Sequence, residues 1–211
     1  MAIYLDSAIL SEAKAAVENS WLYGITTNPT LLAKSGLPPA DTYRQLAELP
    51  VKEIYYQVSD AGLMQMQQEI KLAEELLGDK MVVKIPPTRT GFQLAAKISK
   101  KYKTCITAIF NPAQALAARA TGANYIAVYV NRATKWMKDG LGLTRACADI
   151  LAGSETEILA ASLKSTEEVV AAFTAGAQHL TLPFDIFESL IESEYSERAV
   201  QMFNQSGTHL G

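Results

Sequence analysis

Apolar positions along the chain follow two alternating patterns. Short runs rich in Val, Ile, Tyr and Thr occupy residues 3–6, 24–26, 54–58, 81–85, 104–109, 125–130, 157–161 and 179–183, as buried parallel strands do. Between them lie longer stretches whose apolar residues recur every three or four positions. Residues 61–77 place Leu63, Met66, Ile70, Ala73 and Leu77 on one helical face. Residues 11–19, 91–102, 112–121, 143–151 and 166–175 read the same way. Asn111-Pro112 supplies a helix start, and Gly78, Gly122, Gly153 and Gly176 supply stops. Eight strand-then-helix units with no linker between them predict an α/β fold, a single (β/α)8 barrel over residues 1–191. The rival is an open doubly wound sheet, which would advertise a Gly-rich nucleotide turn; neither GxGxxG nor GxxxxGK[ST] occurs. A ninth helical pattern, residues 194–205, lies in the tail 192–211. Its Tyr195, Ala199, Met202 and Phe203 need a partner surface, on the barrel or on a neighbouring subunit.

Charge and composition narrow the chemistry. Lys and Arg total 19 and Asp and Glu 22, a net charge of −3, so no electrostatic footprint for nucleic acid or an anionic membrane is expected. Cys105 and Cys147 have no CxxC spacing and cannot make a disulfide framework. His179 and His209 are the only histidines, so no zinc-ligand cluster is expected, and chemistry without metal or cofactor follows. MAIYLDSAIL lacks a basic leader region, and no apolar run approaches the ~20 residues needed to span a bilayer. A cytoplasmic protein is the expectation.

A (β/α)8 barrel does its chemistry at the C-terminal ends of its strands, and the polar residues gather there. Asp6 ends the first run, Thr26, Thr27 and Asn28 the second, and Gln57 the third. Lys84 sits late in the fourth, Thr107 in the fifth, Tyr129 and Arg132 at the end of the sixth, and Ser162 at the end of the seventh. Lys84 is the most informative, because its neighbours in Met81-Val82-Val83-Lys84-Ile85-Pro86 are apolar. Burial disfavours the ammonium form, and a free amine attacks ketone carbonyls to form a Schiff base. The alternative is a lysine reaching out to solvent. Asp6 either handles substrate protons or caps the following helix, and Asn28 before Pro29 is equally open as a cap. Arg132, Ser162 and Lys164 offer donors beside the late strands, where barrels often bind phosphate. Trp136 and Met137 either wall the site or pack on the next helix. His179 opens a strand at the opposite end and reads as structural.

Leu5-Asp6, Gly24-Ile25-Thr26-Thr27-Asn28-Pro29, Val83-Lys84-Ile85-Pro86, Tyr129-Val130-Asn131-Arg132 and Ala160-Ala161-Ser162-Leu163-Lys164 together resemble the small transaldolase family and, within it, the fructose-6-phosphate aldolase branch. The resemblance runs from residue 3 to about residue 190. It implies a metal-independent class I aldol mechanism with Lys84 as the Schiff-base lysine. Asp6 would handle protons on substrate hydroxyls, Thr26 and Asn28 would fix the dihydroxyacetone portion, and Gln57 and Thr107 would hold a catalytic water. Tyr129 would be the acid/base partner, and Arg132 and Ser162, with Lys164, would receive the phosphate. The transaldolase branch carries an acidic residue where Gln57 stands, phenylalanine at Tyr129 and serine at Ala127. The expected reaction is therefore making or cleaving fructose 6-phosphate from dihydroxyacetone and glyceraldehyde 3-phosphate. The alternatives are a transaldolase and a non-catalytic sugar-phosphate-binding protein. Residues 133–138 are bulkier than the Gly-rich stretch of that branch, and Tyr55 adds a hydroxyl on the face of Gln57. In this family the terminal helix crosses to the next subunit of a pentameric ring, and rings stack in pairs, so a homopentamer or homodecamer is implied.

Overall fold

Eight parallel strands pair in sequence order and close on themselves, the first returning to the eighth. The computed structural model describes residues 1–207, so His209 and the last residues of the 192–211 tail lie outside the described residues. In chain order the elements are β1 (Ala2–Asp6), α1 (Leu10–Val17), β2 (Leu22–Thr26), α2 (Pro29–Lys34), α3 (Pro39–Ala47), β3 (Glu53–Gln57), α4 (Leu63–Leu77) and β4 (Met81–Ile85). They continue with α5 (Arg89–Ile98), β5 (Lys103–Ile109), α6 (Pro112–Thr121), β6 (Tyr125–Tyr129), α7 (Val130–Met137) and α8 (Gly140–Leu151). β7 (Glu157–Ala161), α9 (Thr166–Thr174), β8 (His179–Leu182), α10 (Phe184–Ser189) and α11 (Glu194–Ser206) complete the chain. The (β/α)8 barrel expected from the sequence is the fold observed.

Strand side chains alternate between two cores, as the two-residue period of a strand requires. Leu5, Ile54, Val83, Ile106, Ile126, Ile158 and Leu180 face the helices in one continuous core. Tyr4, Tyr55, Val82, Cys105, Tyr125, Ala127 and Leu159 fill the barrel interior. The same alternation turns Asp6, Gln57, Lys84, Thr107 and Tyr129 inward at the C-terminal ends. Three bulky tyrosines plug the lower barrel and leave the upper end open.

That plug is polar as well as aromatic. Glu53 is 1% exposed, and its carboxylate accepts from the Tyr4 hydroxyl at 2.8 Å, the Tyr125 hydroxyl at 3.2 Å and Lys103 Nζ at 2.6 Å. Burial, and then the neighbouring Glu53 charge, push the Tyr4 and Tyr125 phenols well above their ordinary range. Burial does the same to Tyr55. Gly24 makes room for the arrangement: a Cβ there would stand 2.5 Å from the Glu53 carbonyl oxygen and 2.8 Å from the Tyr4 ring. His179 sits at this closed end, its Nδ1 accepting from the Ala2 amide at 3.1 Å and its Nε2 2.8 Å from Glu157.

Four helices lie outside the periodic stretches read from the sequence: α2, α3, α7 and α10. α2 buries none of its six residues, so it leaves no apolar period to read. α7 begins directly at Val130, where the apolar run of β6 passes into the buried Val130 and Ala133 of the helix. The sixth strand therefore stops one residue before the expected end.

Candidate functional site

At the C-terminal ends of the strands a cavity of about 510 Å³ opens to solvent. Lys84 lies in its wall, 3% exposed, with Nζ donating to the Thr27 carbonyl at 3.0 Å. The amine is therefore held inside the mouth and does not reach out to solvent. Thr27 is itself fixed, its hydroxyl donating to the Tyr55 carbonyl at 2.8 Å and lying 2.6 Å from the Tyr43 hydroxyl. The strand that carries Lys84 thus meets the turn after β2 through a rigid acceptor.

Gln57 pairs in register with Lys84 across β3 and β4. Gln57 lines the cavity wall, and its Oε1 is buried with no hydrogen-bond partner among the described residues. A buried acceptor left unpaired costs about 1–3 kcal/mol, so a donor brought to this oxygen would be bound favourably. The Tyr55 hydroxyl, one inward position below, is also buried and unpartnered. On the other side of Lys84, Thr107 donates to the Tyr129 hydroxyl at 3.3 Å. A β-bulge between Ile106 and Ile109 presents this threonine, with Ala108 in the left-handed region at φ 53°. Such a conformation in a non-glycine residue is strained and persists where the surroundings enforce it.

Asp6 also lines the cavity, and its carboxylate accepts from the Thr26 hydroxyl at 2.8 Å. Thr26 Oγ1 is in addition 2.6 Å from Thr181 Oγ1. Thr26 thus stands behind Asp6, orienting it, and is not among the cavity-lining residues. Asp6 is not a helix cap: α1 begins after Ile9 with no side-chain cap, and the Ile9 amide bonds to Ser7 Oγ at 3.1 Å. Asn28 does cap α2, accepting from the Leu31 amide at 3.1 Å, while also lining the cavity.

Arg132, Ser162 and Lys164 line the side of the mouth formed after β6 and β7. Neither cation makes an ion pair with a carboxylate among the described residues. Ser162 is held at φ 60°, and its carbonyl accepts from the Asn131 amide at 3.2 Å. Glu168, at the start of α9, accepts from Asn131 Nδ2 at 2.5 Å and from the Lys164 amide at 2.8 Å. One carboxylate therefore ties the start of α7 to the loop after β7. Trp136 is not among the cavity-lining residues; it is largely exposed and stacks on Phe110 with centroids 5.1 Å apart.

Lys34, near the end of α2, lines the cavity too, across the barrel from Arg132. An Asn-Pro helix start six residues earlier is the signal that would have found it. Among the described residues no group of three or more His, Cys, Asp and Glu comes together to hold a metal ion, and no helix is long and apolar enough to cross a membrane. The arrangement suits carbonyl chemistry: a buried amine, an unpaired acceptor beside it, a paired hydroxyl and phenol opposite, and free cations at one end for an anionic tail.

Residues 3–209 match the family model described as transaldolase/fructose-6-phosphate aldolase. A probable transaldolase of Hydrogenobaculum sp. (strain Y04AAS1) is 34% identical over 206 residues, spanning 96% of this chain and 94% of its own. A probable transaldolase of Caulobacter vibrioides is 34% identical over 213 residues, spanning 96% and 94%. One of Exiguobacterium sibiricum is 34% identical over 211 residues, spanning 96% of each chain.

Proposed function

Because the chain belongs to the transaldolase/fructose-6-phosphate aldolase family, we propose that it makes and breaks the carbon–carbon bond of ketose phosphates through a Schiff base on Lys84. The observation that carries this reading is the buried Lys84 amine in the wall of the cavity. The amine adds to the C2 carbonyl of fructose 6-phosphate and water leaves, giving a protonated imine. The C3–C4 bond then breaks, its electron pair passing to the imine to form an enamine, while the C4 hydroxyl gives up its proton to Asp6. Glyceraldehyde 3-phosphate departs, its phosphate having lain against Arg132 and Ser162, with Lys164 alongside. Asn28 lines the part of the cavity nearest the three-carbon unit, and Thr26 acts through Asp6.

Two fates are open to the enamine. In the aldolase reading Tyr129, poised by Thr107, protonates C3, and a water taken up by Gln57 hydrolyses the imine to free dihydroxyacetone. The unpaired Gln57 Oε1 supports this reading, as do the phenol at Tyr129 and the absence of a hydroxyl at Ala127. In the transaldolase reading the enamine waits for a second aldehyde, and the relatives named probable transaldolase favour that fate. Neither needs a metal or cofactor. Borohydride with fructose 6-phosphate should add a three-carbon unit to the Lys84 peptide; an adduct elsewhere, or none, refutes the chemistry. Turnover of fructose 6-phosphate alone then identifies an aldolase, turnover only with erythrose 4-phosphate a transaldolase, and binding without turnover a non-catalytic protein. We also propose that the chain assembles as a homopentamer or homodecamer through α11, whose residues are all left out of the core.

A further inference from the structure

No step of the proposed reaction uses Trp136, yet its surroundings link the two ends of the site. Trp136 follows Arg132 by four residues on α7, so the two share a helix face. The Arg132 guanidinium carbon lies 4.9 Å from the centre of the Tyr129 ring and 5.7 Å from that of Trp136. Trp136 stacks on Phe110 at 5.1 Å and 28° between planes. Phe110 in turn meets Tyr129 edge-on at 5.8 Å and 70°. Tyr129, Phe110, Trp136 and Arg132 thus form a closed ring of contacts at the rim of the cavity. The indole is 68% exposed, so stacking, and not burial, keeps it there.

We propose that Trp136 is a positioning residue that holds the Arg132 guanidinium for the phosphate of the substrate and so sets the preference for phosphorylated sugars. A guanidinium donates its hydrogen bonds in its own plane and meets aromatic rings through its face. Aromatic contact at Tyr129 and Trp136 therefore restrains the cation without consuming its donors. No carboxylate competes for it among the described residues. Preorganising a long side chain in this way saves the ordering cost that phosphate binding would otherwise bear. Phe110 completes the device by fixing the indole from the other side, which also ties the anion end of the site to Tyr129. The inference rests on the reading of Arg132 as the phosphate ligand.

The test uses borohydride inactivation of the full-length protein, which requires only imine formation and is the same whether the enamine is released or transferred. The concentration giving half-maximal inactivation and the maximal rate are measured with fructose 6-phosphate and with fructose, for the parent, Trp136→Ala, Trp136→Phe and Arg132→Ala. Trp136→Ala should raise the half-saturating fructose 6-phosphate concentration roughly three- to fivefold while leaving its maximal rate and both fructose parameters within about 1.5-fold. Trp136→Phe should recover most of the loss, because a ring at that position restores the face contact. Arg132→Ala should abolish the preference for the phosphorylated sugar. If Arg132→Ala removes the preference and Trp136→Ala changes nothing, or weakens both sugars alike, the role of Trp136 is refuted while the phosphate site stands. If Arg132→Ala leaves the preference intact, the phosphate site and the role of Trp136 fall together.

Discussion

At the residue level the decisive feature is phase. A strand that points Val82 into the barrel and Val83 toward the helices must point Lys84 inward, and the apolar letters around it were enough to mark it. Tyr129 is inward by the same parity, two positions above Ala127, and Thr107 meets its hydroxyl at 3.3 Å. Tyr129→Phe keeps the ring that contacts Phe110 and Arg132 and removes only the hydroxyl proposed to carry the proton. It should leave borohydride trapping on Lys84 intact and slow release of free dihydroxyacetone by ~10²- to 10⁴-fold, the usual weight of a general acid–base group. A release rate within a few-fold of the parent would move the proton transfer to Asp6. Parity made these residues legible; two other properties left no mark in the sequence. Ala108 and Ser162 sit at positive φ, which nothing about an alanine or serine announces, and the solitude of Gln57 Oε1 depends on what the closed barrel fails to place beside it.

Elements were legible where an apolar period or a start and stop signal marked them, and burial alone did not decide it: α3 buries Thr42, Tyr43 and Leu46 and went unread, while α11 buries nothing and is legible. α4 buries Met66, Ile70, Ala73 and Leu77 at helical spacing, and α6 matches its expected bounds because Asn111-Pro112 opens it and Gly122 closes it in the left-handed conformation. α2 buries nothing and went unread, and Lys34 went with it. The start of α7 and the loop after β7 show how elements far apart in sequence come together at the proposed anion site. Asn131 and Glu168 are 37 positions apart, yet the Glu168 carboxylate joins Asn131 Nδ2 to the Lys164 amide. Glu168→Ala removes both hydrogen bonds, one part-buried and one exposed, a loss of about 1 kcal/mol in thermal or urea unfolding. It should also raise the half-saturating fructose 6-phosphate concentration without altering that for fructose, since only the start of α7 and the loop after β7, the proposed phosphate-binding segments, lose their tie. Equal weakening toward both sugars would show instead that Glu168 supports the whole mouth.

The molecule as a whole has a closed end and an open tail, and each carries a prediction. At the closed end Tyr4, Tyr55 and Tyr125 have phenol pKa values raised by burial, while an unfolded tyrosine ionises near ~10. A raised value in the folded state contributes stability that is complete below the unfolded pKa. It is lost as pH climbs beyond ~10, because the unfolded chain sheds protons that the folded chain keeps. Alkaline titration should therefore show the phenolate absorbance of these tyrosines rising together with loss of circular dichroism in one step; ionisation well before unfolding would contradict the plug. In the tail α11 leaves Tyr195, Val200, Met202 and Phe203 exposed and contributes no residue to the core. An isolated helix of this length is marginal in water, so a partner surface has to hold it. Donation of the helix to a neighbour, head to tail, closes into a ring where the rotation permits, as the proposed pentamer requires. Ending the chain after Ile191 should yield smaller species in light scattering while the barrel's circular dichroism persists, because the eight strands close without α11. An unchanged particle size after that truncation would place the helix on its own barrel, and the assembly would then have to be built from another face.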